Sequence, residues 1–135
     1  MLKKIGNTLL IAANLYLAYK YLMEGFEKFE SLDRLVGRSS PFIDFYLAMG
    51  ETSYLLPFIG VVEILAALLI LSQVFRFVGS LILLPVALNV CLAHLVLIQS
   101  PKGIALTSFL LVVILVNLAI EHKRFKPMLK ASKVW

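Results

Sequence analysis

A single cysteine among 135 residues excludes an intrachain disulfide and any Cys-x-x-Cys redox couple. Cys91 lies inside an apolar run, so electron transfer by this chain would need a bound cofactor or a partner. The sequence has no glycine-rich phosphate loop, no dinucleotide fingerprint, no His/Cys cluster at metal-ligand spacing and no Ser-His-Asp arrangement. No cofactor is therefore encoded by a motif. There is no internal repeat and no low-complexity tract. Charge is scarce too, at 16% Asp, Glu, Lys and Arg, against roughly 25% in soluble domains. What remains is apolar. The hydrophobic fraction is 61% and the mean hydropathy +0.93, whereas soluble domains hold about 45–50% apolar residues. Such a chain needs lipid as its solvent, and its length leaves room for one domain, residues 1–135.

Four apolar segments are long enough to cross about 30 Å of hydrocarbon. The expected spans are residues 5–29, 54–73, 77–98 and 103–121. Lys3 and Lys4 before the first run resemble the start of a secretory signal, but no small-x-small cleavage site follows, so the run is expected to be kept as a span. Tight turns join the second span to the third and the third to the fourth. The stretch from Glu30 to Ser53 is the one long connection, and within it Pro41 to Gly50 is expected to form a short amphipathic helix that lies in the membrane interface or caps the bundle. The expected fold is all-α: an integral membrane four-helix bundle with an interfacial helix between its first two spans.

The net charge of +5 comes mostly from the chain ends. A basic tail can bind nucleic acid, but in a membrane protein it marks topology and attracts anionic lipid; no nucleic-acid partner is expected. Lys3, Lys4, Arg76, Lys123, Arg124, Lys126, Lys130 and Lys133 fall on one side of the spans, and Arg34, Arg38 and Lys102 on the other. That asymmetry places both termini in the cytoplasm, with Lys20 and Lys28 inside the first span.

Charge inside hydrocarbon costs about 2.5–3.5 kcal/mol per group at midspan, so its placement is informative. On the first helix Lys20, Glu24 and Lys28 share one face at i,i+4 spacing and can neutralise each other, with Glu27 alongside. The bland reading is an interfacial charged turn with Lys20 snorkelling outward. Glu63 is harder to explain away. It lies about 13 Å along its helix, near midspan, with no cation within a turn in sequence and with Gly60 and Ala67 on the same face. It must be protonated, paired with a residue of another helix, or open to a wet cavity. A packing staple and a functional carboxylate both satisfy this. Asn89 and His94 follow in the third helix, five residues apart and not necessarily on one face. Pro85 removes the hydrogen bond to the Leu81 carbonyl just before them. By depth, Lys20, Glu24, Glu63, Asn89, His94 and Thr107 share the outer half of the bundle, leaving Asn7, Asn14 and Asn117 for the inner half. An outer-half polar pocket is the expectation, with Glu63 contributing more than any other residue.

Gly25-Phe26-Glu27-Lys28-Phe29, Met49-Gly50 followed by Tyr54-Leu55, Val62-Glu63-Ile64, and Pro85 with Asn89 and His94 together resemble the DoxX-like family of small four-helix membrane proteins. The likeness covers nearly the whole chain, with Ala66-Ala67 where that pattern has glycine. It implies a bacterial inner-membrane protein, an accessory subunit of a quinone-linked oxidoreductase, with quinone or another small amphipathic molecule in the pocket. Glu63 would then be the central acceptor or proton carrier, and Lys28 and His94 would supply partner charge or hydrogen bonds. It also implies lipid, membrane or redox proteins as partners, and a homo-oligomer is compatible with it. The alternative is a non-enzymatic scaffold or assembly chaperone whose intramembrane polar groups recognise partner helices. A small-solute transporter fits less well, because the inner half lacks a polar lining and no inverted repeat is visible.

Overall fold

The structure is a computed structural model that describes residues 2–35, 37, 38 and 40–131, without the side chains of 2–4, 34 and 124–131. The side chains of Lys3, Lys4, Arg34, Arg124, Lys126 and Lys130, and all of Lys133, therefore lie outside the described residues. Every regular element described is helical: α1 (Leu2–Glu27), a 3-10 turn (Leu32–Leu35), α2 (Pro41–Glu51), α3 (Leu55–Leu71), α4 (Arg76–Ala93), a π turn (His94–Ile98) and α5 (Pro101–Ala131).

The boundaries have local causes. Ser40 caps α2 by accepting from the Ile43 amide at 3.2 Å, and Pro41 occupies the first turn, where no N–H is needed. At the other end the Thr52 hydroxyl donates to the Met49 carbonyl at 2.7 Å and accepts from the Leu55 amide at 3.1 Å. One side chain thus closes α2 and opens α3, while Ser53 turns the corner with φ at 62°. The two helices meet at 98°. Between α4 and α5 the helix loosens into the π turn, which Gln99 ends in the left-handed region at φ 51°. Ser100 and Pro101 then start α5. That helix runs on past Glu121, where the last apolar run was expected to end. A charged segment leaves hydrocarbon, but Lys and Arg are good helix formers and sit well near a helix C-terminus.

α1 packs along α3, α3 along α4 and α4 along α5, while α1 and α5 touch less extensively. Leu17, Tyr21, Ala67, Ile70, Leu83 and Ile114 are among the residues from these four helices that form one core. The outward faces are also apolar, with Leu9 at 66% exposure and Phe58, Val96 and Val112 similarly bare. A helix that is apolar all round belongs in lipid or deep within a large protein. Two stretches, Arg76–Ile98 and Pro101–Lys123, are long and apolar enough to cross a membrane, and the bent pair α2 and α3 is a third if counted as one span. The molecule is helical and has the character of a membrane protein.

Candidate functional site

Glu63 is fully buried on the face of α3 that meets α1. Two glycines bring the backbones together there. A Cβ on Gly60 would stand 2.6 Å from the Gly25 carbonyl oxygen, and one on Gly25 would stand 2.9 Å from the Gly60 carbonyl oxygen. One turn further along each helix come Lys28 and Glu63. The Lys28 Nζ donates to Glu63 Oε2 at 2.6 Å and to the Glu24 carbonyl at 3.2 Å. Glu24 also pairs with Lys20 at 3.3 Å. The other carboxylate oxygen, Glu63 Oε1, has no hydrogen-bond partner among the described residues.

This pair forms part of the wall of a cavity of about 720 Å³. The cavity brings together Glu24, Lys28, Glu63, Asn89 and His94, and adds Glu27 and Arg38. Lys20 is not in its lining and reaches it only through Glu24. Most of the remaining surface is apolar, and α2 supplies Phe42, Ile43, Phe45, Tyr46 and Met49 to it. None of the residues of α2 is buried, so this helix covers the cavity without joining the core. Few polar groups converging in an apolar hollow is the usual makeup of a small-molecule site.

His94 lies at the start of the π turn, with its Nδ1 3.0 Å from the Val90 carbonyl. A carbonyl only accepts, so Nδ1 carries a proton. The imidazole fits because α5 presents Gly103, where a Cβ would stand 2.9 Å from Nε2. Thr107, expected with the polar outer half, bonds the Gly103 carbonyl of its own helix at 2.9 Å.

No family model, no curated protein and no solved structure matches the chain.

Two polar contacts elsewhere are not evident from the sequence. Asn14 and Asn117 exchange reciprocal hydrogen bonds of 3.1 and 2.6 Å in the core between α1 and α5. Arg76, expected as a turn cation, opens α4 largely buried and stands 3.7 Å from Glu121 of α5. Depth puts Asn14 and Asn117 in the same half, and Arg76 and Glu121 near the same end, but only knowing which helices are neighbours pairs them. Cys91 is buried, with Sγ 3.7 Å from the Ser108 hydroxyl. Among the described residues, no three His, Cys, Asp or Glu side chains are placed to hold a metal ion.

Proposed function

We propose that this chain is a multi-pass membrane protein whose cavity beneath α2 binds a small amphipathic molecule at the Lys28–Glu63 pair. In this reading α1, α3, α4 and α5 are the four spans of a bundle in a bacterial inner membrane, with both termini cytoplasmic. α3 has 17 residues, at the short limit for a span, and α1 accommodates its charges by pairing them. The observation that carries the reading is a buried ion pair set in the wall of an apolar cavity. Removing two charges from water is costly, and well-packed apolar residues of similar volume often stabilise a core as well or better. A pair retained where it lines a hollow is better explained by recognition than by stability.

The DoxX-like resemblance extends this proposal to an accessory subunit of a membrane oxidoreductase with quinone as one candidate ligand. The scaffold alternative draws on a different feature, an apolar groove between α1 and α5 lined by Leu9, Tyr16, Phe109 and Val112. Mass spectrometry of small molecules carried by protein purified in mild detergent separates the two. A stoichiometric amphipathic molecule, lost when Lys28→Met and Glu63→Met are combined, supports the ligand reading. An empty cavity together with a stable stoichiometric protein partner would replace it by the scaffold.

A further inference from the structure

Lys28 and Glu63 meet the cavity as a pair, but their surroundings differ. Glu63 is 0% exposed and Lys28 is 13% exposed at its side chain. A carboxylate sealed behind its partner cannot be touched by a molecule in the cavity without moving. The ammonium can. It has three N–H donors, of which one goes to Glu63 Oε2 and one to the Glu24 carbonyl. The third has no partner among the described residues, and Lys28 lines the cavity.

We infer that Lys28 is the residue that contacts the ligand, through this third N–H, and that the group it takes is an uncharged hydrogen-bond acceptor, a ketone or ester carbonyl on an apolar molecule. The inference rests on the proposed reading of the cavity as a ligand site. Charge decides the class. The positive charge of Lys28 is already matched by Glu63 at 2.6 Å. An anionic head at Lys28 would compete with the Glu63 carboxylate for the same ammonium, and elsewhere in the lining Glu24 and Glu27 stand against the single guanidinium of Arg38. A cationic head would sit against the ammonium itself. A neutral acceptor at Lys28 meets neither penalty and satisfies the donor left over on the ammonium. The apolar lining from α2, α3 and α4 (Phe42, Met49, Ile59 and Val86 among it) suits a hydrocarbon tail. Glu63 is then a positioning residue, which fixes the ammonium on a long flexible stem.

The test uses the full chain in detergent and a radiolabelled probe, methyl decyl ketone, in a scintillation-proximity assay. Unlabelled dodecane, dodecanoate and dodecylamine compete as chain-matched controls. A hydrogen bond to a charged group sets the expected gain, and the ketone should bind about tenfold or more tighter than dodecane. Both charged amphiphiles should compete less well than the ketone. Glu63→Gln keeps an acceptor for Lys28 and should preserve the preference for ketone over dodecane, while dodecanoate should compete better once the ammonium is unmatched. The Lys28→Met/Glu63→Met double variant should bind ketone and dodecane alike. If the wild type binds dodecane as tightly as the ketone, or dodecanoate more tightly, the assignment of the ligand class is overturned while the cavity still binds. The role of Lys28 is overturned if the double variant keeps the ketone preference. Should the double variant not fold, the wild-type order alone still decides the class, and loss of ketone preference in Glu63→Gln overturns the positioning role. Binding of none of the four, with no co-purified molecule, overturns the cavity reading itself.

Discussion

Gly60 of α3 lies with its Cα against the Gly25 carbonyl of α1, so close that a Cβ at Gly60 would come within 2.6 Å of that oxygen. The same Cβ would stand 3.2 Å from the Lys28 Cβ. The crossing therefore sets both the spacing of the two helices and the reach of the Lys28–Glu63 pair. Gly60→Ala should destabilise the protein by about 1–3 kcal/mol through overpacking against backbone. Helix propensity alone works the other way, since alanine is favoured over glycine by about 1 kcal/mol in a helix interior. Gly6→Ala, at a position with nothing within 4 Å of an added Cβ, isolates that propensity effect and should be neutral or stabilising. Unfolding titrations in mixed micelles compare the two, and equal stabilities would refute the close crossing as a determinant.

Asn14 and Asn117 present a second test of helix pairing. The two amides exchange one hydrogen bond in each direction, Asn14 also donates to the Leu10 carbonyl at 2.9 Å, and Asn117 is completely buried. Replacing one partner leaves the other with unmet polar groups, while replacing both leaves an apolar contact. Asn14→Leu and Asn117→Leu should each destabilise the fold, and the double variant should lose less than their sum. Interhelical hydrogen bonds in membranes average about 0.6 kcal/mol and reach about 1.7 kcal/mol in double-mutant cycles, and this reciprocal pair belongs at the upper end. Strict additivity in the cycle would show that the two amides are not coupled.

The parts of the fold that depend on local signals are legible in the sequence itself. Apolar run length marks the segments that form α1, α3, α4 and α5, and Pro41 followed later by Gly50 marks α2. Pairing is not legible in the same way. Glu63 demands a partner, yet Lys20, Lys28, Asn89 and His94 are equally available by sequence, since depth ranks residues only along an axis. A clue is present in Gly25-x-x-Lys28 and Gly60-x-x-Glu63, because two glycines can bring two helices close, and Lys28 then stands beside Gly60 and Glu63 beside Gly25, within reach of a lysine stem. Depth groups Asn14 with Asn117 and Arg76 with Glu121, but no residue pattern pairs them. The right-angled corner at Ser53 and the π turn at His94 are likewise hidden, because each rests on backbone geometry that no residue type uniquely demands.

His94 and Gly103 form a lock between the end of α4 and the start of α5. The imidazole occupies the space that any side chain at position 103 would need. Gly103→Ala should therefore displace His94, break the hydrogen bond between Nδ1 and the Val90 carbonyl, and cost about 1–3 kcal/mol. Adding His94→Ala to Gly103→Ala should recover most of that loss, because it removes the clash. Nitrogen NMR of the imidazole in the wild type should show Nδ1 protonated. A double variant no more stable than Gly103→Ala would mean that the contact is not the source of the cost.

Orientation in the membrane is the prediction with the widest consequence, because it decides which side of the bilayer the cavity serves. Positive residues near span ends stay on the cytoplasmic side. Eight Lys and Arg fall at the two termini and the start of α4, against three in the connection before α2 and the first turn of α5. Both termini should therefore be cytoplasmic, with the 3-10 turn and α2 outside. Ser31 lies just before the 3-10 turn and Lys123 near the far end of α5, and both are exposed. Cys91 is replaced by alanine first, so that the only thiol is the introduced one. In intact cells an impermeant maleimide should label Ser31→Cys and leave Lys123→Cys unlabelled until the membrane is opened. Labelling of Lys123→Cys in sealed cells would invert the topology and turn the cavity toward the cytoplasm. A ligand would then have to arrive from the inner leaflet, and any partner enzyme would have to be sought on that side.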